Sequence, residues 1–244
     1  MELIIIPTYN ECNNLERLLS MIYKETPDIH VLIVDDNSPD GTGELVKTLI
    51  QKRYSNQLFL LERSGKQGLG TAYIVGFKWA LKRSYKYIFE MDGDFSHNPK
   101  YLKNFIVAIK KCDVVLGSRY VHGGGIINWN FFRRIISYGG SLYSRMFLGM
   151  PLNDITGGFK CFDRKVLEQI PLDNIQSNGM SFQIEMTYRA FLQGFIVKEM
   201  PIVFEERATG KSKISVKIFM EAVFMVWKLR FKKASFSNKN GWKE

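Results

Sequence analysis

Cysteine is scarce in this chain of 244 residues: only Cys12, Cys112 and Cys161, widely separated. Three thiols at such spacings form neither a metal-ligand set nor a disulfide framework, so the core has to hold the fold and a reducing compartment is expected. No apolar run approaches the ~18 residues that suggest a membrane-spanning helix. The first six residues already read as a strand, so no signal peptide is expected. An internal repeat, a low-complexity segment and the glycine-rich phosphate loop ending in Lys-Ser/Thr are also missing. The run Gly65-Lys66-Gln67-Gly68-Leu69-Gly70 lacks the dinucleotide spacing and reads as a turn and helix start. Acidic residues are outnumbered, 24 against 34 Lys and Arg, giving a formal net charge of +10. Residues 205–244 hold ten Lys/Arg and four Asp/Glu, so +6 of that charge sits in the last sixth of the chain. A basic surface suits nucleic acid, anionic lipid or a phosphorylated substrate, and by itself also describes an ordinary solvated face.

What the chain does have is alternation. Strands are predicted over 3–7, 30–34, 58–61, 87–91 and 114–117. Between them, helices are predicted from Asn13/Asn14 as caps to residue 24, from about 42 to 54, over 68–83 and over 99–111. Such alternation builds an α/β fold with a mostly parallel sheet and right-handed crossovers. Further on, His122-Gly123-Gly124-Gly125 reads as a flexible loop. A helix follows over 130–148, then a short strand ending at 162, a helix over 182–193, a strand over 196–204, a basic loop over 205–213 and a helix over 214–231. Residues 232–244 read as a frayed basic tail.

The chemistry-bearing residues recur directly after strands: Tyr9 and Glu11, Asp35 and Asp36, Asp92 and Asp94, and Arg119. In an open α/β sheet these positions share one edge, where ligands bind. Two carboxylates there, Asp92 and Asp94, form a site for a hard divalent cation that also meets substrate phosphates. A turn in which Asp and Gly serve only the backbone is the alternative for that stretch taken alone. The gathering of carboxylates at successive strand ends favours a metal–nucleotide site. The helix over 130–148 mixes Phe131, Phe132, Ile135, Ile136 and Met146 with Arg133, Arg134 and Arg145. That composition suits a membrane interface, or a core helix with snorkelling arginines.

Seven stretches in order carry a resemblance: Pro7-Thr8-Tyr9-Asn10-Glu11, Val34-Asp35-Asp36, Asp92-Gly93-Asp94, Gly117-Ser118-Arg119-Tyr120, Thr156-Gly157-Gly158-Phe159, Phe182-Gln183-Ile184-Glu185-Met186 and Arg207-Ala208-Thr209-Gly210-Lys211-Ser212-Lys213. Together they resemble the family 2 glycosyltransferases of GT-A fold, and more narrowly the dolichyl-phosphate (polyprenyl-phosphate) mannose synthases without transmembrane helices. The resemblance runs from Leu3 to about Leu229. It implies one catalytic domain over 1–231, with a nucleotide-sugar half (1–118) and an acceptor and membrane-interface half (119–231) whose C-terminal helices are amphipathic.

The resemblance also implies roles. Pro7, Tyr9, Glu11, Val34 and Asp36 line the nucleotide pocket. Asp92, Gly93 and Asp94 meet the diphosphate, and Asp92, Asp94 and Ser96 hold Mg²⁺ or Mn²⁺. Arg119, Arg207 and Lys213 engage phosphate or sugar. Arg119, Arg133 and Ser137, the last one turn beyond Arg133, take the acceptor phosphate. Asp94, Arg119 and Arg133 are the catalytic set. The implied reaction moves mannose from GDP-mannose to a polyprenyl phosphate with inversion. It occurs at the cytoplasmic face of a membrane, directly or through small anchoring subunits, and involves no nucleic acid. A UDP-sugar donor, as in a polyprenyl-phosphate glucosyltransferase, is the alternative within enzymes. A basic nucleic-acid-binding α/β protein is the alternative outside them, and its carboxylate-lined strand ends speak against it.

Overall fold

The computed structural model describes residues 1–129, 131–175, 177–205 and 216–231, with side chains from 134 onward in one late helix and from 223 onward in the other. The first half alternates as expected: β1 (Glu2–Thr8), α1 (Cys12–Glu25), β2 (His30–Asp35), α2 (Thr42–Lys52), β3 (Leu58–Glu62), α3 (Leu69–Leu81), β4 (Tyr87–Glu90), α4 (Leu102–Ala108, with a 3-10 turn at either end) and β5 (Val114–Ser118). The second half holds β6 (Gly125–Ile127), α5 (Phe131–Leu148), β7 (Lys160–Asp163), α6 (Arg164–Gln169), α7 (Gly179–Leu192), β8 (Val197–Pro201), β9 (Val203–Glu205) and α8 (Val216–Phe231).

Seven strands form one sheet in the order β3-β2-β1-β4-β7-β5-β8, and β6 pairs with β9 in a small second sheet. All pairings are parallel except those of β7, which runs antiparallel between β4 and β5. Side chains alternate along β1 because a strand has period two. Ile4 and Ile6 join Leu15, Leu18, Ile22 and Phe105 on the α1/α4 face, while Leu3 and Ile5 join Tyr73, Phe77, Phe162 and Phe182 on the α3/α7 face. Gly76 lets α3 close down on β1, since a Cβ there would lie 2.6 Å from Ile5 Cγ2.

Several expectations are corrected. Asn13 and Asn14 lie inside α1 and do not cap it. The helix starts after Glu11, and its leading amides are satisfied from the β2–α2 loop: Asn10 N–H donates to Ser38, Glu11 N–H to Thr42 and Cys12 N–H to Asp40. The single strand expected over 196–204 is two, because the chain changes sheets at Ile202. Within the glycine stretch at 123–125, a Cβ on Gly124 would lie 2.6 Å from the Ser118 carbonyl, and Gly125 opens β6.

One polar cluster is sealed in the sheet beneath the crevice. Glu90 and Lys160 are cross-strand partners of β4 and β7, and both are fully buried. Lys160 Nζ donates to the main-chain carbonyl and the Oε1 of Gln183, and stands 3.8 Å from Glu90 Oε2, too far for a hydrogen bond. Burial pushes the Glu90 carboxyl up to about 7 and the Lys160 ammonium down to about 8. A raised carboxyl costs stability as pH climbs from its unfolded value toward 7. A lowered ammonium costs stability below 8, so at neutral pH both charges oppose folding. Such a pair is replaceable but not divisible. Lys160→Met alone is expected to destabilise by about 3–5 kcal/mol, and adding Glu90→Leu to recover most of that loss. Urea unfolding of the two variants checks this, and equal losses in both would rule the pairing out as the cause.

Candidate active site

β1 and β4 pair only as far as Ile5 and Glu90, whereas β1 and β2 stay paired to Thr8 and Asp35. The last rung runs from Met91 N–H to the Ile5 carbonyl. Pro7 comes one step later on the β4 side, where no rung needs the N–H it lacks. The strands therefore part at the point where strand order reverses, which opens the crevice that binds ligands in such sheets.

The turn after β4 forms one wall. Phe95 takes a left-handed backbone (φ 65°) and folds the chain back, so that the Ser96 N–H and Oγ both donate to Asp94 Oδ1, at 3.1 and 2.5 Å. The Asp92 N–H donates to His97 Nδ1 at 3.0 Å, which keeps the ring hydrogen on Nε2. Tyr73, fully buried on α3, donates its hydroxyl to Asp92 Oδ1 at 3.4 Å. Burial and then the Asp92 charge drive its pKa well above the phenol range, so it remains a donor. Asp92 and Asp94 are hard oxygen ligands, and with substrate phosphates they fit Mg²⁺ or Mn²⁺. Among the described residues no group of three or more His, Cys, Asp or Glu converges. Ser96, expected as a third ligand, is 1% exposed and donates its hydroxyl to Asp94.

The β2 and β3 ends form the second wall. Asp35 shapes the backbone by accepting from Thr8 Oγ1 and from the Ser38 N–H and Oγ. Asp36 accepts from Arg63 Nη1 at 2.6 Å, and Arg63 Nη2 also donates to Gln67 and Thr71. This nearly buried arginine thus joins β2, the loop after β3 and the first turn of α3. Lys66 of that loop lies 4.2 Å above the half-exposed Tyr9 ring. Pro7 is half-buried beside them, and Glu11 Oε2 accepts from Asn14. Val34 is corrected: its side chain is fully buried in the core with Leu3 and Ile5, because β2 presents it to the α3 face. Arg63, Lys66, Gln67 and Tyr73 were missed, although the glycine-marked loop at 65–70 was the available signal.

On the β5 side Arg119 departs from expectation. Its Nε and Nη2 grip the fully buried Asp154 at 2.7 Å each, and Nη2 also donates to Thr156. Its guanidinium faces the rings of Tyr120, Trp129 and Phe204 at 5.2–5.7 Å. The guanidinium expected to bind a phosphate is therefore fixed on a carboxylate. Burial opposes ionisation of Asp154, and the Arg119 charge outweighs it, holding the carboxyl below the usual range. Glu199 accepts from the Asn153 and Asp154 N–H groups, and Ser141 of α5 donates to the Asn153 carbonyl. Ser137 of α5 accepts from the Tyr120 hydroxyl at 2.8 Å. Arg133 lies on α5 with its side chain outside the described residues, as are Arg207 and Lys213 entirely.

Two outcomes test this geometry. A methyl at Gly93 would meet Ile6 and Glu11 at 3.5–3.6 Å, ordinary contact distances. Gly93→Ala is therefore expected to fold and to gain about 0.4–1 kcal/mol from a stiffer unfolded chain, read by thermal or denaturant unfolding. A lowered carboxyl contributes stability above its unfolded pKa, about 3.9, and loses it as pH falls further. Asp154→Asn is expected to lower stability at neutral pH and to flatten its decline below pH 4, measured by urea midpoints from pH 3 to 7.

Residues 3–171 match the glycosyl transferase family 2 model. A polyprenol monophosphomannose synthase of Mycolicibacterium smegmatis is 43% identical over 93% of this chain and 87% of its own length. An undecaprenyl-phosphate mannosyltransferase of Micrococcus luteus is 45% identical over 92% and 91%. Among solved structures, a Pyrobaculum calidifontis mannosyltransferase in complex with GDP-Man and Mn²⁺ aligns with TM-score 0.61 at 17% identity, covering 100% of this chain and 65% of that one. Glucosyl-3-phosphoglycerate synthase of Mycobacterium tuberculosis aligns with TM-score 0.67 at 13% identity, over 95% and 80%. The expected GT-A fold is the architecture shared with these structures, and with a crevice flanked by Asp92 and Asp94 the chain belongs to glycosyl transferase family 2.

Proposed function

We propose that the chain transfers mannose from GDP-mannose to a polyprenyl phosphate, with inversion at the anomeric carbon. The observation that carries this reading is the Asp92–Asp94 turn at the β1/β4 crevice, in a chain similar over nearly its full length to a polyprenol monophosphomannose synthase and an undecaprenyl-phosphate mannosyltransferase. The donor lies along the ends of β1, β2 and β4, served by residues 1–118. Tyr9 offers a ring face, and Asp36, held by Arg63, a fixed acceptor. Asp92 and Asp94 would hold a divalent cation, which when bound would supply Lewis-acid stabilisation to the leaving diphosphate. Tyr73 and His97 orient Asp92, and Ser96 orients Asp94, so neither carboxylate has to reorganise during transfer. The acceptor phosphate is already an anion near neutral pH, so the attack needs no strong general base. Arg133 and Ser137 on α5 hold that phosphate in line, with the charge of clamped Arg119 behind them. Arg207 and Lys213, outside the described residues, are the further cations assigned to donor phosphate or sugar.

A lipid-linked acceptor has to be met at a bilayer, by residues 119–231 in this reading. Among the described residues no helix is long and apolar enough to cross one. The late helices instead expose large apolar side chains: Ile135, Ile136, Tyr138 and Met146 on α5, and Phe224 (72%), Trp227 (46%) and Phe231 (73%) on α8. The α8 residues share one stripe, while Met225, Val226 and Leu229 turn inward against α7. An exposed aromatic stripe beside Lys228 and Arg230 suits the anionic cytoplasmic leaflet, with each cation worth about 1 kcal/mol.

Radiolabel transfer from GDP-mannose to a short polyprenyl phosphate in detergent tests the reading. Metal-dependent label in the lipid phase is expected, abolished by chelator and reduced at least ~100-fold in Asp94→Asn, which removes a charge with little change of shape. Label from UDP-glucose and none from GDP-mannose would overturn the donor assignment. Arg133→Ala is expected to raise the acceptor KM more than the donor KM, and an unchanged acceptor response would remove Arg133 from the site.

A further inference from the structure

Phe204, on β9, stands where three functional segments meet. Its ring meets the edge of His97 at 5.7 Å and 75°, and that of Trp129 at 5.4 Å and 73°. The Arg119 guanidinium lies 5.5 Å from its centroid. These neighbours are not aliphatic core. His97 accepts the Asp92 N–H and so holds the metal-binding turn. Arg119 anchors the Asp154–Thr156 loop, which Ser141 ties to α5.

His97 is held from two sides. Phe159 stacks on its face at 5.1 Å and 15°, and Phe204 closes it edge-on. Gly158 fits beside it, since a Cβ there would lie 3.3 Å from His97 Cε1. The ring is left 2% exposed, in the orientation that aims Nδ1 at Asp92. Phe204 touches both this imidazole and the arginine across from it, and it lies two residues after Ile202, where β8 gives way to the small β6/β9 sheet. Phe204 also pairs in register with Ile126 of β6 and meets Trp129, so one ring joins the segment of His97 to those of Arg119 and β6.

We propose that Phe204 is a positioning residue that keeps the metal-binding turn and the Arg119 side of the crevice in one arrangement, and thereby sets the ratio of sugar transfer to sugar-nucleotide hydrolysis. The proposal rests on the transferase reading above. In transfer, an acceptor-phosphate oxygen forms the new bond to the anomeric carbon, while the bond to the diphosphate breaks and its electron pair leaves with GDP. In hydrolysis a water oxygen makes that bond, its proton passes to solvent, and free mannose and GDP result. The leaving group is the same, so the two outcomes differ only in which nucleophile is in line. A ring that excludes water and fixes both walls selects the slower-diffusing lipid phosphate.

The test uses the full chain in detergent with GDP-mannose, a short polyprenyl phosphate and Mn²⁺, with GDP release and lipid-phase label measured in the same sample. In the wild-type protein, GDP release is expected to match label. Phe204→Ala is expected to raise the ratio of free mannose to lipid label ~10-fold or more, and the acceptor KM more than the donor KM, as a small misplacement of reacting groups does. Phe204→Tyr, which keeps the ring, is expected to restore coupling. Phe204→Leu keeps apolar volume without a ring and serves if the alanine variant does not fold; it is expected to uncouple as well. Transfer and hydrolysis falling together at a constant ratio, or an uncoupled Phe204→Tyr, would overturn the proposal. A wild-type protein that makes no lipid-linked sugar from GDP-mannose would overturn the transferase reading itself, a distinct result from a coupled wild type whose variants stay coupled.

Discussion

The parting of β1 from β4 after the Ile5–Glu90 rung is the constraint on which the rest of the site depends. A parallel sheet satisfies its backbone internally, and where two neighbouring strands diverge, amides and carbonyls turn to loops, side chains and ligands instead. Pro7 suits that place because it has no N–H to offer β4. The residues released from pairing on either side, Tyr9 to Glu11 and Asp92 to Asp94, then face a shared space. β2 runs on beside β1 to Asp35 and delivers Asp36 to the same edge. The antiparallel β7 fills the far side of β4 and brings the Gly157–Gly158 turn against His97.

Charge is managed in buried pairs around this crevice. Asp36 is gripped by Arg63 and Asp154 by Arg119, each pair almost fully buried and each joining separate chain segments. Arg119 grips Asp154 bidentately and Arg63 adds bonds to Gln67 and Thr71, so several donors and lone pairs are satisfied at once, which makes such burial tolerable. The Glu90–Lys160 pair is less well satisfied, and its charges weigh against folding at neutral pH. Asp92 and Asp94, the proposed metal-binding carboxylates, accept from neutral donors on Tyr73 and Ser96. The excess basic charge of the chain lies elsewhere, much of it after residue 204.

The α/β alternation, the seven-stretch resemblance and the two carboxylates after β4 were determined by the sequence alone. They are local facts: hydrophobic period, residue type after a strand, and spacing of a few residues. The helix bounds of α1, α3 and α5 and the strands β1 to β5 fall within a few residues of expectation for the same reason. What only the tertiary structure decided are the long-range pairings. Whether Arg119 meets a phosphate or a carboxylate depends on Asp154, 35 residues away, arriving at 2.7 Å. Whether Val34 lines a pocket depends on which face of β2 meets α3, a parity that one residue's shift reverses. Whether Ser96 binds metal or braces Asp94 depends on a left-handed turn at Phe95 that its sequence does not announce. The split of the last strand at Ile202, and with it the position of Phe204 between His97 and Arg119, follows from β6 being available to pair with β9. Composition carries no trace of such meetings, because each is fixed by the packing of segments that are remote along the chain.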